Sequence, residues 1–152
     1  MADEKKVIVF SLNGETYGVP VEQVISIEKP LEITRVPNTK PFIKGVMNLR
    51  GVILPVVDLL KKFEIGQSVI EEATRLAIVE VDDIRVALII DSAKDVVDID
   101  SEKIDPVPDI AGGVHAKYLH GVAKLSSELL ILLNLENILN DSDIEAIKQL
   151  EV

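Results

Sequence analysis

Short apolar blocks broken by turn residues dominate the chain, a pattern that predicts strands far more often than helices. Residues 7–12 form the first such block, and Asn13-Gly14 after it is the strongest short hairpin signal. Residues 17–21 pair back, and residues 21–27 make a turn that becomes extended before Pro30. Residues 33–36 are expected to form a short strand stopped by Pro37, and residues 40–43 one helical turn. Gly45 then opens a strand that Val46, Asn48 and Leu49 carry to a turn at Arg50-Gly51. Residues 52–57 return, and Asp58 stands at the mouth of a short helix over residues 59–63.

A polar connector over residues 66–74 leads to a second set of strands. Residues 75–81 and 85–90 flank a tight turn at Asp82-Asp83, and strand character resumes over residues 96–99. Residues 100–117 carry Pro106, Pro108 and Gly112-Gly113, which predicts a long loop. A last hairpin over residues 118–124 and 129–133 precedes a short helix at residues 135–139. Asp141 or Ser142 can cap a terminal helix whose apolar face is Ile144, Ile147 and Leu150.

Two positions do not fit a simple hairpin. Pro55 lies inside an apolar strand but cannot donate to a ladder, so its amide position must face a sheet edge or a bulge. Arg50 is a long cation between two strands that read as buried, so it either snorkels to water or is aimed at something. Val24, Ile25 and Ile27 are too apolar for an open loop and belong either to the core or to a docking face.

The chain also repeats itself. VIVFSLNGETYGV lays over AIVEVDDIRVAL, and Val36-Pro37 matches Val107-Pro108. GVMNLRGVILPVVDL lays over GVAKLSSELLILLNL, pairing Gly45 with Gly121, Leu49 with Leu125, Asp58 with Asn134 and Leu59 with Leu135. Arg50-Gly51 is replaced by Ser126-Ser127 in the second copy, so the strands are kept without the arginine. Each copy supplies about five short strands at the spacing of small barrels.

Composition narrows the function classes. A chain of 152 residues fits one domain or two small subdomains sharing a core. Its apolar share of 47% is ample, but aromatics are only 3%, so the interior is aliphatic. With no cysteine there is no disulfide framework, thiolate metal site or Cys nucleophile. A net charge of −10 repels phosphate backbones and anionic lipid, which argues against nucleic-acid and direct membrane binding. The start MADEKK lacks the apolar run of a secretory signal, and no apolar stretch is long enough to cross a bilayer, so a soluble cytoplasmic protein is expected.

Catalytic candidates are few. His115 and His120 have no triad-like neighbours, and surface histidines are the expectation. Asp98, Asp100 and Glu102 lack the central Gly and further ligands of a calcium loop, so a solvated strand edge is expected rather than a metal site. No phosphate-cradling glycine motif is present, and Gly112-Gly113 reads as a loop hinge. No enzyme, cofactor or metal is expected.

Across PFIKGVMNLRGVILPVVDL the sequence resembles the CheW family of bacterial chemotaxis coupling proteins, matching at Ile43, Gly45, Val46, Asn48, Leu49, Arg50, Gly51, Pro55, Asp58 and Leu59. The likeness extends from the strand around Phe10 through Tyr17-Gly18 and Arg35-Val36 to the YLHGV and LLILLNLENIL segments. It implies a mainly all-β fold of two intertwined five-stranded SH3-like β-barrels with short helices and a C-terminal helix. The expected organisation is a single domain over residues 1–152, with subdomains near 10–65 and 75–140 that exchange or share strands.

The resemblance also implies a non-enzymatic adaptor that joins chemoreceptor cytoplasmic tips to the histidine kinase CheA, whose regulatory domain has a related fold, and that is recruited to membrane-associated receptor arrays. It places receptor or array contacts at Arg50, with Val24, Ile27, Asn48 and Gly51 as further partner-binding candidates. Gly45, Leu49, Pro55, Asp58 and Gly121 fall on structural positions of the motif. Many relatives carry Glu where this chain has Ser26, so the resemblance does not carry a salt bridge over to that position. A coupling domain from a CheV-type protein shares the fold, but a chain ending at Val152 leaves no room for its receiver, so a free-standing coupling protein is preferred. A small-molecule-binding barrel, with residues 100–117 as a lid, is the more distant alternative.

Overall fold

The computed structural model describes residues 4–107, 110–111 and 113–139. Strands β1 (Glu4–Leu12) and β2 (Glu15–Pro20) make the first hairpin, and a 3-10 turn at Val21–Gln23 leads into β3 (Val24–Glu28). β4 (Ile43–Leu49) and β5 (Val52–Val57) make the second hairpin and run into the helix α1 (Leu59–Lys62). The other half repeats the series with β6 (Arg75–Val81), β7 (Ile84–Ile90) and β8 (Ser92–Asp100). After the short strands β9 (Ile110–Ala111) and β10 (Val114–His115) come β11 (Leu119–Lys124), β12 (Leu129–Leu133) and the helix α2 (Leu135–Ile138).

Three hairpins turn through two residues with positive φ: Asn13 and Gly14 at 52° and 78°, Arg50 and Gly51 at 50° and 89°, Asp82 and Asp83 at 49° and 66°. This left-handed pair matches the twist of the flanking strands. Asn, Asp and Gly tolerate it at little cost; arginine does not.

The strands form two five-stranded sheets, ordered β11-β12-β2-β1-β8 and β3-β6-β7-β5-β4. Numbered by place in the repeat, both run fourth, fifth, second, first, third. In each sheet the first and second strands come from one half of the chain and the other three from the other half. The halves meet along parallel seams, β12 with β2 and β5 with β7. The expected mainly-β fold of two interleaved five-stranded units is therefore what the chain adopts.

Interleaving explains why β6 and β7 are apolar on both faces. One face of this sheet, with Met47, Leu54, Val56, Leu76, Ile78, Ala87 and Ile89, fills its own interior. The other sheet encloses Val7, Val9, Ile99, Ala123, Leu130 and Leu132. The opposite faces, including Phe10, Tyr17, Val79, Val86, Leu88 and Ile131, meet in a larger shared core. Burying one such Leu or Ile contributes about 1.5–3 kcal/mol.

One edge of each sheet, β4 in one and β11 in the other, is crossed by a connecting segment at one residue. Thr34 exchanges both backbone hydrogen bonds with Val46, and Asp105 does the same with Val122. A side chain on Gly45 would collide with the Thr34 carbonyl, and one on Gly121 would meet the Asp105 carbonyl at 2.9 Å. The paired glycines of the repeat thus permit the same close crossing twice.

Several local expectations need correction. Residues 33–36 form no strand, only that single bridge at Thr34, where the segment crosses the β4 edge at Val46 and pairs at no other residue. Residues 40–43 make a hydrogen-bonded turn, Ile43 N to Lys40 O, instead of a helical turn, and β4 begins at Ile43, before Gly45. Residues 100–117 are not one open loop: 3-10 turns at Ser101–Lys103 and Ala116–Tyr118 and the strand pair β9–β10 lie within it. β8 is longer than residues 96–99, since β1 supplies partners along its whole length. The expected terminal helix with Ile144, Ile147 and Leu150 lies outside the described residues, as does Gly112.

Candidate functional site

The β4–β5 turn gathers three of the candidate residues. The Gly51 N–H donates to Asn48 Oδ1 at 2.8 Å, so Asn48 holds the turn. Nothing lies near the Gly51 α-carbon, so glycine serves its φ of 89° there. The Arg50 side chain is 72% exposed, and its Nη2 donates to Glu28 Oε1 at 3.1 Å. Arg50 therefore reaches outward and joins the turn to the end of β3. Glu28 is the partner that strand periodicity alone does not reveal, lying 22 residues away in the chain.

An exposed ion pair contributes roughly 0–1 kcal/mol. A left-handed arginine costs roughly 1–2 kcal/mol. The two about cancel, so stability does not account for an arginine where Asn or Gly would do.

Strand β3 is an edge strand bent by a bulge: Val24 pairs with Val79 and Ser26 with Ile78, leaving Ile25 between them without a partner in the ladder. Val24 and Ile27 are half-buried and pack against the shared core. Ile25 points the other way and is 47% exposed. The bulge breaks the strict alternation, which is why the sequence does not show which of the three faces outward. Ser26 is half-buried on the same strand.

The remaining motif residues set this hairpin in place. Buried Asp58 caps α1 by accepting from Leu60 N at 3.1 Å and Lys61 N at 3.4 Å, and it accepts from Ser68 N at 3.0 Å and Ser68 Oγ at 2.8 Å. One carboxylate thus fixes both the helix start and the connector to the second half. Leu49 is half-buried against the interior of its own sheet. Pro55 pairs with Val46, whose backbone groups both go to Thr34, so the position without an N–H faces away from β4. Gly121 lies on the other sheet and is not part of this constellation.

Elsewhere, Thr16 Oγ1 donates to Glu128 Oε2 at 2.9 Å, and Lys94 Nζ donates to Thr16 Oγ1 at 3.1 Å and to Glu128 at 3.4 Å. The Thr16 hydroxyl first, then Lys94, hold the Glu128 carboxyl below its usual range. Tyr17 is fully buried, stacked on Phe10 with ring centroids 6.1 Å apart, and desolvation, aided by Glu15, pushes its hydroxyl up to about 12. His115 Nδ1 accepts from Lys117 N, a local cap, and Asp100 caps its own 3-10 turn at Glu102 N. Among the described residues no group of three potential ligands gathers to hold a metal, and no helix is long and apolar enough to cross a membrane. Both sheet interiors are filled by the chain's own side chains.

Residues 6–143 match the family model described as the CheW-like domain. The chain is 44% identical over 105 residues to the chemotaxis protein CheW of Bacillus subtilis, covering 69% of this chain and 67% of that one. It is 35% identical over 136 residues to the chemotaxis protein CheW of Klebsiella aerogenes, covering 90% and 82%. The crystal structure of the scaffolding protein TtCheW from Thermoanaerobacter tengcongensis superposes with a TM-score of 0.83 at 34% identity, covering 94% of this chain and 92% of that one.

Proposed function

The chain belongs to the CheW family, and on that premise we propose that it is a non-enzymatic chemotaxis adaptor acting as one unit. It couples chemoreceptor cytoplasmic tips to the regulatory domain of the histidine kinase CheA and is recruited with them into membrane-associated arrays. The observation that carries this is Arg50: an outward-facing arginine kept in a left-handed turn, at a position the second copy of the repeat fills with Ser126. The family's motif attaches receptor contact to that arginine, and the geometry leaves it in reach of a partner.

The receptor-facing surface comprises Arg50, Asn48 and Gly51 at the turn, with the β3 edge beside it. Val24 and Ile27 act there mainly by backing the strand from the core, while Ile25 is its exposed apolar contact. Coupling requires two patches whose bound states influence one another, which an adaptor supplies by holding both on one rigid sheet framework. Such signalling contacts are often small and transient, so avidity in an array strengthens them.

Separate pull-downs with a receptor signalling tip and with the CheA regulatory domain test this. Binding to both is expected. A folded chain that binds neither overturns it. The small-molecule alternative finds no support in the filled interiors.

A further inference from the structure

The two seams of the duplicated fold end differently. Between β12 and β2 the parallel ladder runs through Leu130↔Thr16, Ile131↔Tyr17 and Leu132↔Gly18. Between β5 and β7 it holds only Val56↔Ala87 and Val57↔Leu88. In the repeat, Pro55 stands where Ile131 stands, so the rung that would extend the shorter ladder lacks its N–H. Past Pro55 the strands part, and a cleft of about 590 Å³ opens between Gly51–Leu54 on one side and Glu80, Asp83 and Arg85 on the other.

The mouths differ as well. At the closed seam Glu128, Thr16 and Lys94 tie the β11–β12 turn, β2 and the bulge of β8 together. Their counterparts by repeat alignment and bulge position are Val52, Arg85 and Ile25, which form no such cluster. Val52 is 51% and Ile53 48% exposed. Arg85 turns instead to Glu80, Nε to Oε1 at 3.4 Å.

Backbone groups also face the opening. Val46 directs both of its groups to Thr34, so by alternation Ile53, like Pro55, directs its N–H and C=O away from β4. Val81↔Ile84 closes the two-residue turn of the other hairpin, so Arg85 directs its pair away from β6. Ile53 and Arg85 thus present strand-edge donors and acceptors on either side of the cleft.

We infer that this cleft takes an extended segment of a partner protein, added as a short strand and carrying apolar side chains alternating with Lys or Arg. The apolar positions meet Ile53, whose side chain lies on the face opposite Val52. The basic ones, on the other face, meet Glu80 and Asp83, which outnumber Arg85 among the residues lining the cleft, on a chain whose net charge of −10 disfavours a second copy as occupant. The surface shares only Gly51 with the turn site.

The test is an amide NMR titration of the whole chain with a short, blocked, soluble peptide of alternating Lys and Val, and with its Glu–Val counterpart. The Lys–Val peptide is expected to shift the amides of Ile53 and Arg85, more weakly at high salt, while the Glu–Val peptide leaves them in place. Ile53→Lys, at an exposed position, should weaken binding about tenfold or more, as loss of one apolar anchor and addition of a like charge require. Pro55→Ile, which restores the missing N–H, should close the seam and abolish the shifts. Arg50→Ala should leave them unchanged, which separates this cleft from the receptor-facing reading. No shift at Ile53 and Arg85, equal binding of both peptides, or indifference to Ile53→Lys overturns the proposal. So does concentration-dependent self-association through these residues without peptide, which would make a second copy the occupant.

Discussion

Replacing Arg50 separates function from fold more cleanly than any other substitution. Arg50→Ala removes an exposed ion pair and leaves Glu28, itself only 17% exposed, without its cation. The pair's worth bounds the loss at about 1 kcal/mol. Alanine inherits the left-handed turn, so that cost is unchanged. Arg50→Gly also loses the ion pair but relieves roughly 1–2 kcal/mol of backbone strain, so it should be neutral or slightly more stable than the parent. For a domain of this size a change of 1 kcal/mol moves Tm by about 2–4 °C. Urea unfolding of the three proteins, at low and high salt, measures this directly, and the parent's small advantage over Arg50→Ala should shrink as salt screens the pair. Both variants should lose receptor-tip binding despite their opposite backbone effects. A loss of roughly 3–5 kcal/mol in Arg50→Ala would refute the reasoning, since that is the signature of a buried ion pair.

Other residues give sharper stability readouts. Tyr17 holds its proton to about pH 12 in the fold against a usual value of 10, so stability is complete below pH 10 and declines as the pH rises through 12. Two units correspond to about 3 kcal/mol, and alkaline unfolding of the parent and Tyr17→Phe should differ by the loss of that decline. At neutral pH, Tyr17→Phe should be neutral or stabilising, because the hydroxyl finds no hydrogen-bond partner among the described residues. Gly45→Ala should destabilise by more than about 2 kcal/mol in thermal unfolding, because its methyl group would occupy the space of the Thr34 carbonyl. Asp58→Ala should cost about 2–4 kcal/mol, combining the lost helix cap with the buried Ser68 hydroxyl and N–H left without an acceptor, and hydrogen exchange should speed up first at Ser68 and Leu60.

Most strands were legible because turn chemistry is local. Asn13-Gly14 and Asp82-Asp83 mark their hairpins, and the strands on either side follow from their apolar spacing. Asp58 and Leu59 announce α1 for the same reason. The exchange of hairpins between sheets is not written locally. A strand such as β7, apolar on both faces, is compatible with either half until the parallel seam with β5 is known. The internal repeat indicates two similar β-units, and only the resemblance to the CheW family implies that they intertwine. The β-forming neighbours of Thr34 predict a strand, whereas its single bridge to Val46, beside Gly45, sets its conformation. At the site, Arg50 stands out in the sequence as a cation between two apolar strands that the second repeat replaces with Ser126, but Glu28 and the outward face of Ile25 depend on a bulge and a contact across the sheet.

The most direct test of the adaptor is a reconstitution with CheA and chemoreceptor cytoplasmic fragments in which kinase autophosphorylation is followed with and without this chain. Receptor control of the kinase should appear only when the chain is added, and Arg50→Ala should abolish that control while remaining folded. Equal receptor control in the absence of the chain, or full control with Arg50→Ala, would contradict the account.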